Sequence, residues 1–124
     1  MDHVELAERT KALALRIVRL VGALPRTREA DVLGRQLLRS GTSVGANYRE
    51  ARRARSKADF VSKIGICLQE SDECLYWLEL LAESGIVRPA LLFELQEELG
   101  QLVAIFAASS KTARQRSDVT TGSP

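Results

Sequence analysis

The chain is poor in the residues that interrupt helices and in those that build active sites around histidine. Its 124 residues include three prolines (Pro25, Pro89 and Pro124) and one histidine, His3. Proline costs about 3 kcal/mol inside a helix, so its scarcity favours long uninterrupted helices. Aromatics are 5% of the chain, and β-branched residues form no alternating runs, so no strand signal is present. A triad built on Cys67 or Cys74 would have to recruit His3 from the far terminus. A di-metal carboxylate bundle needs Glu-x-x-His on two helices, whereas Glu70 and Glu73 make Glu-x-x-Glu. No Walker-type loop and no dinucleotide glycine fingerprint occurs. These absences predict no enzyme: no catalytic residue, no metal and no cofactor.

No apolar run approaches the roughly 18 residues of a membrane span. The first residues, MDHVELAERT, are acidic and polar, unlike a secretory leader. A cytoplasmic location is expected. The two cysteines agree with it. Cys67 and Cys74 are seven apart, so on one helix they share a face but lie about 10 Å apart, too far for a disulfide. Buried free thiols are expected.

What is present is ordinary for one globular domain: 45% apolar and 27% charged residues, in a chain long enough for a core without staples. The net charge of +2 conceals an asymmetry. Residues 26–57 hold nine Lys or Arg against three acids, and residues 59–83 hold six acids against one Lys. Segments of opposite sign can neutralise each other where they pack. Alternatively, the basic segment offers a surface to a polyanion.

Four helical stripes follow one another. In the first, His3 to Ala23, Leu6, Leu13, Ile17, Leu20 and Leu24 trace one face, with Val18 and Val21 widening it; Pro25 ends it. Thr27 is the expected N-cap of a second helix from Arg28 to about Ala54. Its face carries Val32, Leu33, Leu37, Leu38, Val44, Tyr48 and Ala51. The middle of this helix, SGTSVGAN, reads by local propensity as a loop. The stripe stays in phase from Leu37 through Val44 to Ala51, so the segment is assigned to helix; a break near Gly41 is the alternative. Ser40, Gly41, Ser43, Gly45 and Ala46 then supply a small-sided surface for close helix contact. Ser56 caps a third helix, Lys57 to Glu83, with Phe60, Ile64, Cys67, Ser71, Leu75, Leu78 and Leu81 on one face and Gly85 behind it. Pro89 opens a fourth helix to about Gln115, with Leu92, Leu95, Leu99, Leu102 and Phe106 in line. The predicted fold is all-α, an antiparallel up-down-up-down four-helix bundle over residues 1–115. Residues 116–124 are polar and aperiodic, and a disordered tail is expected there.

Candidate functional residues fall in two groups. Arg49, Arg52, Arg53, Arg55 and Lys57 cluster where the second helix ends, with Arg35 and Arg39 about three to four turns earlier. Arginine suits phosphate because its planar fork bonds bidentately, although cations also suit a helix C-terminus. The second group is polar: Asn47 and Glu50 on the second helix, Glu70 and Glu73 on the third. Each pair shares a helix face. These four either pair with Arg or Ser on adjoining helices or line a ligand cleft. Tyr76 and Trp77 adjoin them and suit an interface.

The run from Leu38 to Ala51 (LRSGTSVGANYREA), then Ser56-Lys57-x-Asp59-Phe60-x-x-Lys63, then Glu70-x-x-Glu73-x-x-Tyr76-Trp77-Leu78, resembles the four-helix bundle proteins of the 23S ribosomal RNA intervening-sequence type, some of them labelled S23 ribosomal proteins. The resemblance extends from the first helix to about Lys111. It departs from the commoner form, which has Glu-Gly after the Asn, in that Glu50 is followed by Ala51. The resemblance implies an antiparallel bundle, assembly as a ring-like homopentamer, and no enzymatic activity. A related bundle protein accompanies diversity-generating retroelements, where it binds nucleic acid and a reverse transcriptase. Asn47 and Glu50 match signature polar positions of the family. The function expected is a non-enzymatic homo-oligomeric bundle binding RNA or DNA through Arg35, Arg39, Arg49, Arg52, Arg53, Arg55 and Lys57. The alternative is a structural or protein-interaction module that binds no nucleic acid.

Overall fold

A computed structural model describes residues 2–121, with side chains through residue 115. It contains four helices: α1 (His3–Gly22), α2 (Arg28–Arg52), α3 (Lys57–Glu83) and α4 (Pro89–Thr121). The boundaries follow local chemistry. Asp2 accepts a hydrogen bond from the Glu5 amide at 2.7 Å and caps α1. Thr27 accepts from the Ala30 amide at 3.1 Å, and Ser56 from the Asp59 amide at 3.0 Å. Each cap satisfies an amide that the helix itself leaves unpaired. Gly85, with φ of 79°, turns the chain after α3 in a conformation that costs other residues a steric penalty. Pro89 begins α4, where its missing N–H is not needed. This last helix continues to Thr121, past Arg116, where the sequence suggests a tail. No Pro or Gly intervenes to stop it, and residues 122–124 lie outside the described residues.

Helices adjacent in sequence pack against each other, and α4 makes a slighter contact with α1. Cross-helix pairs give the directions. Along α1 and α2, His3 meets Tyr48, Thr10 faces Gly45 and Ile17 faces Gly41. Along α2 and α3, Arg39 meets Glu73, the Val44 carbonyl meets Cys67 and Glu50 meets Lys63. In both series one number rises as the other falls, so the helices run antiparallel. Arg9 to Glu98 and Arg16 to Glu94 show the same for α1 and α4.

The core is one cluster of aliphatic side chains closed by Phe106, whose ring lies 6.0 Å from that of Tyr48. Leu13, Ile17, Leu37, Val44, Ile64, Leu78, Leu92, Leu99 and Leu102 are all buried in it. The predicted faces hold at their centres and fail at two edges: Val18 and Val32 are exposed. SGTSVGAN is helical throughout. A Cβ on Gly41 would collide with Ile17 Cδ1, and one on Gly45 would sit 3.3 Å from Thr10 Oγ1. The small residues of α2 are therefore where α1 comes closest.

Cys67 and Cys74 are free and buried, and burial pushes both thiols up to about 12. Thiolate is the reactive species. Both thiols are therefore expected to react with Ellman's reagent only as fast as the protein opens, and completely in denaturant. Rapid labelling of the native chain would contradict this packing.

Candidate nucleic-acid interface

The last turn of α2, the turn that follows and the first residue of α3 carry the basic cluster. Arg49, Arg52, Arg53, Arg55 and Lys57 are all exposed. Two amphipathic helices meet here, and this corner is where neither needs an apolar residue. Arg49 and Arg52 also face the partial negative charge of the α2 C-terminus, which stabilises them in place. The only acid between residues 49 and 57 is Glu50, and it is held elsewhere: Lys63 Nζ lies 3.0 Å from its carboxylate. Among the described residues none of the five cations has a carboxylate partner within ion-pair distance. The remaining two candidates differ. Arg35 is paired with Asp31 one turn back, at 3.1 Å. Arg39 points at α3, where it meets Glu73 at 2.5 Å and Glu70 at 3.3 Å.

That second cluster explains the Glu-x-x-Glu spacing. Ser40, fully buried, has its Oγ 2.8 Å from Glu73 and 2.9 Å from the Gln36 carbonyl, and its single proton serves one of them at a time. The Ser40 hydrogen bond first, then that of Arg39, holds the Glu73 carboxyl below its ordinary range. Burial, then the Glu73 charge, pushes Glu70 up, against the pull of Arg39. Asn47 bonds within its own helix, donating to the Ser43 carbonyl at 2.9 Å. Glu50 is engaged at Lys63, about 16 Å along α2 from Arg39 at 1.5 Å per residue. The four polar positions thus do not form one cleft; Glu50, Glu70 and Glu73 pin α2 to α3 at two levels, and Asn47 serves its own helix.

Glu73→Gln is expected to lower stability by about 1 kcal/mol at neutral pH, the size of one charge-assisted bond discounted for solvent screening. A depressed carboxyl stabilises the fold above its unfolded value and loses that contribution as pH falls through its folded value. The deficit should therefore shrink in strong acid, where the wild-type carboxyl takes up a proton. Urea melts at neutral and acid pH measure it; a deficit independent of pH would refute the assignment.

Sequence reasoning missed Lys11. It lies on α1, far from the basic run in sequence, yet with Arg49 and Arg52 it lines a cleft of about 530 Å³ between α1 and α2. The register that sets Thr10 against Gly45 places it there, and register is a cross-helix property. Glu8 is the single acid of this cleft. Tyr76 is 52% exposed and stands edge-on to Trp77, ring centroids 5.1 Å apart. Trp77 packs on the core, and its indole Nε1 is buried with no acceptor among the described residues. No group of three metal-ligating side chains is found among the described residues, and no helix there is long and apolar enough to cross a membrane.

The architecture is that of a four-helix bundle with a cationic corner. The family model of the 23S rRNA-intervening sequence protein matches residues 2–108, and the chain belongs to that family. It is similar to the crystal structure of a protein with unknown function from the S23 ribosomal protein family of Bacteroides thetaiotaomicron. The two share 34% identity and a TM-score of 0.83, over 90% of this chain and 99% of that one. No curated protein matches the chain at a significant level.

Proposed function

We propose that the chain is a non-enzymatic, cytoplasmic, homo-oligomeric bundle that binds RNA or DNA through Arg49, Arg52, Arg53, Arg55 and Lys57. The observation that carries the reading is local electrostatic imbalance. Arg9, Arg35, Arg39 and Lys63 each meet a carboxylate at 3.3 Å or less, whereas these five meet none among the described residues. Exposed and solvated, the cluster is open to a phosphate backbone, which arginine's planar fork can bond bidentately. Arg35 and Arg39 are supporting positions at most, because phosphate would have to displace a carboxylate from each. The resemblance implies five copies, and a ring would multiply a weak corner through avidity.

Fluorescence polarisation of labelled RNA and DNA against the full chain, over a salt series, tests it. Binding should fall with salt, with a log–log slope near −0.9 per phosphate contact on duplex. No binding at low salt would refute it. Light scattering on the same samples tests self-association. A structural or protein-interaction module is the second reading. The exposed Tyr76 ring, edge-on to Trp77, favours it, because an amphipathic aromatic at the surface suits an interface.

A further inference from the structure

The outer face of the α1–α2 pair carries a second cleft, of about 430 Å³, lined by Val21, Gly34, Arg35 and Leu38. On helical angle, these residues fall on the same sides of α1 and α2 as Ala7, Ala14, Gly45 and Arg49 of the first cleft. The two clefts share no lining residue but lie end to end along one side of the α1–α2 pair, and together they mark the course of a groove. It runs from Val4 to Val21 along α1, about 25 Å at 1.5 Å per residue. Its walls at the first cleft include small apolar residues (Ala7, Ala14, Gly45, Ala46), and the exposed Val4, 59% accessible, lines its α1 side. Phosphates gain nothing from such walls. Near the Val4 end stand Lys11, Arg49 and Arg52, opposed by Glu8 alone.

We infer that this groove seats an acidic amphipathic helix of a partner protein. A groove between two antiparallel helices is where a third helix packs its ridge of side chains. A length of 25 Å corresponds to about 17 helical residues. The apolar walls match an i, i+3, i+4 stripe, and the cations demand carboxylates on the flanks of that stripe near one end. The groove shares Arg49 and Arg52 with the phosphate-binding corner but does not depend on that reading.

The test is fluorescence polarisation with a labelled synthetic 18-residue peptide carrying a leucine stripe flanked by glutamates. A permuted peptide of equal composition, with its leucines scattered, is the control. The full chain should bind the first at least tenfold more tightly than the second. Ala46→Gln adds bulk in the groove at an exposed helical position and should weaken binding at least tenfold, with the helical circular dichroism unchanged. Ala104→Gln, exposed on α4, should change nothing. Equal binding of the permuted peptide would reduce the groove to bare charge and overturn the proposal. So would an Ala46→Gln variant that binds as the parent does. The same holds if Ala46→Gln breaks up an oligomer, or abolishes oligonucleotide binding, while the parent ignores the peptide; the groove would then belong to a second copy or to nucleic acid. Loss of oligonucleotide binding in the parent chain bears on the phosphate corner and leaves the groove standing.

Discussion

Gly41→Val is expected to destabilise the fold by about 3 kcal/mol, at the upper end of what overpacking a close-packed interior costs. Gly41 is buried in α2 directly against Ile17, and an ideal Cβ would also lie 3.1 Å from Ile17 Cγ2 and 3.3 Å from its Cβ. Ile17 is itself fully buried and has no free direction in which to retreat. Even alanine should cost about 1–2 kcal/mol here, although the same change in an exposed helix gains about 0.5–1 kcal/mol. Gly100 supplies that contrast: it is exposed on α4 with nothing within 4 Å of an added Cβ. Gly100→Ala should therefore stabilise while Gly41→Ala destabilises. A double-mutant cycle with Ile17→Ala isolates the contact. Each single change is costly, one by overpacking and one by cavity, and the double should cost clearly less than their sum. Denaturant melts read all of these. If Gly41→Ala behaves like Gly100→Ala, the two backbones do not meet as described.

The same stretch shows how far local sequence reaches. SGTSVGAN holds residues that individually prefer turns because their side chains compete for the backbone. In α2 those side chains bond back within the helix: Ser40 to the Gln36 carbonyl, Thr42 to Leu38, Ser43 to Arg39 and Asn47 to Ser43. The side chains are thereby occupied on carbonyls of the preceding turn without interrupting the helix. Phase across Leu37, Val44 and Ala51 was legible, as were the caps at Thr27 and Ser56 and the stop at Gly85, because each depends on neighbours within a few residues. The edges of the stripes were not. Val18 and Val32 have the right residue type, but burial at an edge depends on where the next helix lies. The candidate site divides along the same line. The cluster from Arg49 to Lys57 is contiguous and visible in sequence. That Arg39 meets α3 carboxylates, and that Lys11 joins the groove, are facts of register between helices. They become legible only once Ile17 is known to sit against Gly41 and Arg39 against Glu73.

Arg52→Gln with Arg53→Gln is expected to weaken nucleic-acid binding by about 60-fold at 0.1 M salt. Each phosphate contact contributes about 0.9 to the log–log salt slope, which at that salt is about 0.9 log units of affinity. Two contacts removed give a combined loss near 1.8 log units and a slope shallower by about 2. Glutamine keeps the length and some hydrogen-bonding capacity of arginine, so the change isolates charge. Both residues are exposed, and neither meets a carboxylate among the described residues, so stability should move by less than about 1 kcal/mol, the size of Arg52's interaction with the α2 C-terminus. The loss should be uniform across sequences, because phosphates carry no sequence information. Arg39→Gln makes the opposing control. Its charge is answered by Glu70 and Glu73, so it should cost stability and leave the salt slope nearly unchanged. If Arg39→Gln flattens the slope and the double variant does not, the phosphate path follows the middle of α2 rather than its end, and the cationic corner is not the interface.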